Sequence, residues 1–174
     1  MNLPDQSPIA GLRVLVTGGT IDKIYDATEG RLGFERTQIL EMLRQSRVAL
    51  PEACVQTVLL KDSLEMLEAD REAIAAACKA SPEERLVITH GTDTMVLTAR
   101  HLAQTVTGRT IVLTGAMVPF SVSHSDALFN FGFAVAAASL LPPGVYVAMN
   151  GCVFAWDQVE KNRAAGWFEE RPLS

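Results

Sequence analysis

The sequence predicts a single doubly wound α/β domain over residues 1–174, with a mostly parallel sheet and a flavodoxin-like layout. Three observations predict it. Apolar β-branched runs alternate with helical patterns along the whole length, as in chains of βαβ units. The runs are nearly continuous in apolar character, as strands buried on both faces are. They also stop at small polar residues or glycines, the places where an open α/β sheet binds ligands.

The elements follow in order. Leu12-Arg13-Val14-Leu15-Val16 is the first strand, stopping at Thr17-Gly18-Gly19-Thr20. Residues 22–34 are polar, contain glycine and hold no period, so they read as a long loop of the kind that serves as a lid. Ile39, Leu40 and Leu43 at helical spacing mark a helix over residues 37–46, with Thr37 as its cap. Val55-Gln56-Thr57-Val58-Leu59-Leu60 is the second strand, ending at Lys61-Asp62-Ser63, and a helix over residues 66–80 is closed by Pro82. Leu86-Val87-Ile88-Thr89 is the third strand. His90-Gly91-Thr92-Asp93-Thr94 opens the next helix, which ends before Gly108.

Thr110-Ile111-Val112-Leu113-Thr114 is the fourth strand, residues 126–140 an apolar helix, and residues 145–149 a fifth strand entered through Pro142-Pro143-Gly144. Right-handed crossovers are expected between parallel neighbours. Residues 152–174, with Trp156, Trp167 and Phe168, read as irregular structure packed on the domain or as an oligomer contact.

Composition narrows the function classes. A chain of 174 residues buries roughly 70% of its unfolded surface without staples, and 48% apolar against 20% charged residues is a globular balance. Fifteen basic against twenty acidic residues give a net charge of −5 with no basic block, which disfavours nucleic acid and anionic membranes as partners. Residues 1–8 lack a basic and then apolar segment, so no secretory signal is expected and a cytoplasmic location fits. Cys54, Cys78 and Cys152 form neither a disulfide framework nor a zinc pattern and read as buried reduced thiols. No cofactor is expected and, with His90, His101 and His124 far apart, no metal.

The chemistry-bearing residues collect at four strand ends: Thr17 and Thr20, Asp62 and Ser63, Thr92 and Asp93, and Thr114. On a parallel sheet these ends share one edge. Gly18-Gly19 alone would also suit a phosphate loop, but the third glycine of a dinucleotide fingerprint and the Gly-Lys-Ser/Thr of a P-loop are missing. A threonine hydroxyl needs a base or a neighbour to become nucleophilic. Tyr25 could serve Thr20, and a lysine could serve Thr92, with Lys61 and Lys161 the candidates near strand ends. His90, directly after a buried strand, reads as a structural hydrogen-bonding group, and the charges on the helix bearing His101 as a solvated face.

Thr17-Gly18-Gly19-Thr20-Ile21 together with His90-Gly91-Thr92-Asp93-Thr94 resembles the T-G-G-T-I and H-G-T-D-T signatures of the bacterial-type L-asparaginase family. Asp62-Ser63-Leu64-Glu65-Met66 is similar to its D-S-x-x-M loop. Thr114-Gly115-Ala116-Met117 with Pro119, Ser125-Asp126 and Phe129-Asn130 is similar to its G-A-M-R-P and S-A-D-G-P-F-N segments, and Met149-Asn150 with Lys161 to its M-N segment and following lysine. The resemblance implies Thr20 as nucleophile and Thr92, Asp93 and Lys161 as a relay. It also implies Ser63 and Asp93, with Asp62, as holders of the substrate's α-carboxylate and α-amino group, and amides near Thr92 and Ala116 as the oxyanion hole. Hydrolysis of L-asparagine would follow, with L-glutamine as a second candidate substrate, in a homo-oligomeric enzyme, dimer or tetramer. A non-catalytic amino-acid-binding protein on the same fold is the alternative. Members of that family are about twice as long, so the resemblance implies that the second, C-terminal domain is absent; Tyr25, closer to Thr20 than the family's tyrosine, is a candidate on chemical grounds and not through motif spacing.

Overall fold

The computed structural model describes residue 9 and residues 11–171; residues 1–8, for which no signal was expected, lie outside them. Strand β1 (Leu12–Gly18) is followed by a short 3-10 turn (Thr20–Asp22) and by two brief strands, β2 (Ile24–Asp26) and β3 (Arg31–Gly33). Helix α1 (Ile39–Ser46), strand β4 (Val55–Lys61), helix α2 (Glu68–Ala80), strand β5 (Arg85–Thr89), helix α3 (Met95–Thr105), strand β6 (Thr110–Thr114), helix α4 (Ala127–Leu140) and strand β7 (Gly144–Met149) come next. The chain then runs through β8 (Cys152–Ala155), β9 (Val159–Asn162) and β10 (Trp167–Glu170).

Strand order in the main sheet is β4-β1-β5-β6-β7-β8, parallel except for β8. Counting only the parallel strands, this is the flavodoxin order 2-1-3-4-5. Its switch point, where chain direction across the sheet reverses, lies between the carboxyl ends of β1 and β5. Those ends carry Thr20 and Thr92.

Side-chain alternation splits the core into two layers. Leu15, Leu86, Ile88, Ile111, Leu113 and Val147 face α2 and α3. Val14, Val16, Val87, Val112 and Ala148 face α1 and α4. Burying large side chains completely, Phe131 and Ile74 among them, contributes about 1.5–3 kcal/mol each.

The layers expose one departure from the expected handedness. The crossovers β5–α3–β6 and β6–α4–β7 both step the same way across the sheet, yet α3 and α4 lie on opposite faces. The α1, α2 and α3 crossovers agree with one another, so the α4 crossover is left-handed, against the strong right-handed rule. The intervening segment over residues 115–126 is held for this path by Asp126. Its carboxylate accepts the Met117 and Val118 amides at 3.0 Å and the Asn130 side-chain amide at 2.8 Å. With α4 on the other face, the layer beside α3 is completed by Phe154, Val159 and Phe168 of the last three strands.

The segment expected to be irregular, residues 152–174, forms strands over much of its described part, and residues 172–174 lie outside the described residues. Asn150 and Gly151, at φ 52° and 83°, turn β7 into antiparallel β8, the two-residue hairpin that Asn-Gly favours. β9 and β10 form a second hairpin, with Phe168 opposite Lys161. The expected loop over residues 22–34 likewise contains the β2–β3 hairpin. Helix α1 starts two residues after Thr37, whose Oγ1 accepts the Ile39 amide. Of the cysteines, Cys78 is buried, Cys54 is half-buried and Cys152 is exposed, correcting the expectation that all three are buried. Among the described residues no helix is long and apolar enough to cross a membrane.

Candidate active site

Four strand ends meet because glycines let their backbones touch. Gly19, at φ 81°, presses on the main chain of His90 and Gly91, where a Cβ would overlap both. Gly91 in turn lies against Ser63, whose Oγ would stand 2.5 Å from an added Cβ. The Gly19 amide donates to Lys61 O at 3.0 Å and the His90 amide to Thr114 O at 2.8 Å. The turns after β1, β4, β5 and β6 are therefore a single packed unit.

Thr20 sits partly buried on the 3-10 turn after Gly19, and among the described residues its hydroxyl forms no hydrogen bond. The turn is anchored from below. Ile21 is fully buried, and the Asp22 carboxylate reaches the start of α1, where Oδ1 accepts the Thr37 hydroxyl at 2.9 Å and the Gln38 amide at 2.8 Å. Among the described residues its other oxygen is buried without a partner. Burial outweighs those two bonds and pushes the Asp22 carboxyl up to about 6.

On the facing turn, Lys161 donates from Nζ to Thr92 Oγ1 at 2.8 Å and to Asp93 Oδ1 at 2.9 Å. Sequence spacing left Lys61 and Lys161 both open for this place; Lys61 is paired instead with Asp70 at 2.8 Å. Lys161 arrives through strand alternation. Val159 buries itself in the core, and Lys161, two residues on, leaves the same face of β9. Thr92 is buried beside Met117, whose sulfur lies 3.8 Å from Oγ1. Ser63 is 1% exposed and among the described residues its hydroxyl has no partner, an unusual state for a buried polar group.

Other expected residues stand apart from this cluster. Tyr25 is 65% exposed on β2, and no hydrogen bond joins it to Thr20 among the described residues. Asp62 is occupied: it pairs with Lys23 at 2.6 Å and caps the Leu64 amide, and the Lys23 hydrogen bond, with that of Leu64, holds its carboxyl below the usual range. Ala116 is fully buried at the turn after β6, but the two amides following it donate to Asp126 and are not free to hold an oxyanion. Thr17 and Thr114, counted with the converging hydroxyls, are tied into the sheet through Thr89 O at 2.6 Å and Ala148 O at 2.9 Å.

His90 is the structural group the sequence suggested. It is fully buried, with Nδ1 2.7 Å from Gly91 O and Nε2 2.8 Å from Thr98 Oγ1. A carbonyl can only accept, so Nδ1 carries the proton and Nε2 receives the Thr98 hydroxyl. Burial drives its pKa down to about 4.

Two positioning residues escaped the sequence reading as individuals. Asn130 is fully buried and ties three elements together, donating to Gly115 O and Asp126 and accepting the Asn150 amide. Asp22 anchors the Thr20 turn. A buried Asn on an apolar helix and an acid two residues after a candidate nucleophile were the signals available. Among the described residues no group of three or more His, Cys, Asp or Glu is placed to hold a metal.

Comparisons with known proteins bear on the family and the fold. The L-asparaginase of Thermococcus kodakarensis is 31% identical over 159 residues, which cover 89% of this chain and 48% of that protein. A glutamyl-tRNA(Gln) amidotransferase subunit of Methanococcus maripaludis is 33% identical over 158 residues, covering 87% and 37%. The solved structure of the thermostable L-asparaginase from Thermococcus kodakarensis superposes with a TM-score of 0.80 at 29% identity, over 91% of this chain and 50% of that one. The chain thus spans about half the length, or less, of these relatives. The family model described as asparaginase, N-terminal, matches residues 11–167, and the chain belongs to the asparaginase family through that domain.

Proposed function

We propose that the chain is an amidohydrolase that releases ammonia from the side-chain amide of L-asparagine, with Thr20 as nucleophile. The observation that carries this reading is the Lys161–Thr92–Asp93 cluster, with 2.8 and 2.9 Å contacts made across the domain, on a turn packed against the one that bears Thr20. In the first half-reaction Thr20 Oγ attacks the amide carbon and ammonia leaves, giving an ester. In the second, water attacks that ester, releasing aspartate and restoring the hydroxyl. Lys161 and Thr92 exchange the proton that each half-reaction moves, while Asp93 fixes the lysine. Ser63, with its unpartnered hydroxyl, receives the α-carboxylate. Asp93 holds the α-ammonium.

A specific observation favours a second substrate. The relatives include amidotransferase subunits named for glutamyl-tRNA(Gln) as well as L-asparaginases. Glutamine is longer than asparagine by one methylene, which a pocket discriminates by only about 1–3 kcal/mol. Ammonia release from asparagine and glutamine, measured side by side on the purified chain, decides between them; release from neither removes the hydrolytic reading.

We also propose that copies of this chain associate through α4. Phe129, 60% exposed, stacks on Phe133 with centroids 6.2 Å apart, and Leu140 is 84% exposed. Sedimentation at graded concentration tests this; a monomer throughout would overturn it.

A further inference from the structure

The charges on α3 that read as a solvated face in the sequence are part of a groove. Leu97, Arg100, His101 and Gln104 follow the i, i+3, i+4, i+7 spacing of one helical face, and with Glu68 and Arg71 of α2 they line a cavity of about 240 Å³. Arg71 is its floor. That side chain belongs to a residue 8% exposed, yet among the described residues its guanidinium makes no hydrogen bond, and Nε is buried without a partner. Its nearest anion is Glu68, 3.7 Å away, beyond hydrogen-bonding reach.

A guanidinium offers five donors in a rigid fork, suited to carboxylate and phosphate oxygens, and a buried one left without acceptors is costly. Glu68 is a poor answer to that demand. It is 67% exposed and its closer contact, 2.8 Å, is to His101 Nδ1. What Glu68 shows is the chemistry of the groove: a carboxylate placed between Arg71 and His101. In a chain of net charge −5, two arginines and a histidine face a single acid here.

We propose that the α2–α3 groove binds a small dianion, with Arg71 and Arg100 as charged donors, His101 and Gln104 as further donors, and Glu68 as an internal carboxylate that the ligand displaces. The site is separate from the Thr20–Thr92 cluster, and the inference does not depend on the hydrolytic reading. Both sources of such a ligand, a phosphate and a dicarboxylate, present the same paired oxygens to the fork.

Isothermal titration calorimetry on the full chain, with inorganic phosphate in one arm and malonate in the other at fixed ionic strength, tests the proposal. Saturable one-to-one binding of at least one anion is expected, and the tighter arm identifies the source. Arg100→Gln should weaken it roughly tenfold, the effect of losing one charge-assisted hydrogen bond. Glu68→Gln should tighten it by removing the competitor. Both positions are exposed, so neither variant endangers the fold; Arg71→Gln, where it folds, should abolish binding. No saturable binding in either arm, or binding that Arg100→Gln and Glu68→Gln leave unchanged, overturns the proposal.

Discussion

Lys161 Nζ lies 2.8 Å from Thr92 Oγ1 although the residues stand on different elements, a C-terminal hairpin and the turn after β5. The contact depends on the left-handed α4 crossover, which leaves the α3 layer to be completed by β9 and β10. If the two groups act as one relay, their losses are not additive. Thr92→Val and Lys161→Met should each lower kcat on the order of 10²–10⁴-fold, and the double variant should be about as slow as either single one. Steady-state ammonia release checks this.

Asp22 and His90 bias stability against pH in opposite senses. The Asp22 carboxyl, raised from 3.8 to about 6, contributes stability that is present below pH 3.8 and lost as pH rises through about 6. The gap is worth on the order of 3 kcal/mol. The His90 imidazole, lowered from 6.5 to about 4, contributes stability that is present above pH 6.5 and lost as pH falls through about 4. The two slopes oppose one another between pH 4 and 6. Urea unfolding across that window should show stability rising with pH in Asp22→Asn and falling with pH in His90→Gln, with the wild type between them.

The same protonation state limits the role of His90 in turnover. Neutral throughout the working range, and with both ring nitrogens engaged, it should leave no inflection near pH 6.5 in kcat/KM. A pH–rate profile of wild type against His90→Gln reads this directly; a limb near 6.5 that vanishes in the variant would make His90 part of the chemistry.

Gly19 combines a positive φ with contact to Gly91 and His90. Gly19→Ala should therefore cost at least about 2 kcal/mol, from backbone strain and from separating the two turns. Thermal unfolding measures the loss. Residual activity in the folded fraction should fall too, since Thr20 is the next residue.

The regular elements were legible because each carries a local signal. β1, β5 and β6 are buried on both faces and read as unbroken apolar runs, while α1 to α3 show helical spacing. The mostly parallel sheet, with the carboxyl ends of its strands along one edge, followed from alternation; the strand order did not. Handedness did not, because an all-round apolar helix carries no periodicity that says which face it covers, and the hydrogen bonds of Asp126 and Asn130 that hold its approach show in no sequence pattern. The β7–β8 hairpin was marked by Asn150-Gly151 between Met149 and Cys152, the two-residue turn signal that the aromatic and charged tail obscured. β2 and β3, three residues each, are too short for alternation to show. In the site, residue types and spacing left Lys61 and Lys161 both open beside Thr92, and only the family resemblance implied Lys161 together with Thr92 and Asp93. Which carboxylates were already taken, Asp62 by Lys23 and Asp126 by two amides, depended on contacts that no spacing encodes.

Thr20 as the nucleophile of an asparagine-hydrolysing site is the proposal on which the other roles rest. Ammonia release from L-asparagine by wild type and Thr20→Ala, at equal concentrations and with folding verified, tests it most directly. Turnover is expected in the wild type and its loss in Thr20→Ala, with asparagine binding retained. Full activity in Thr20→Ala, or saturable asparagine binding with no ammonia from the wild type at any pH, would contradict it.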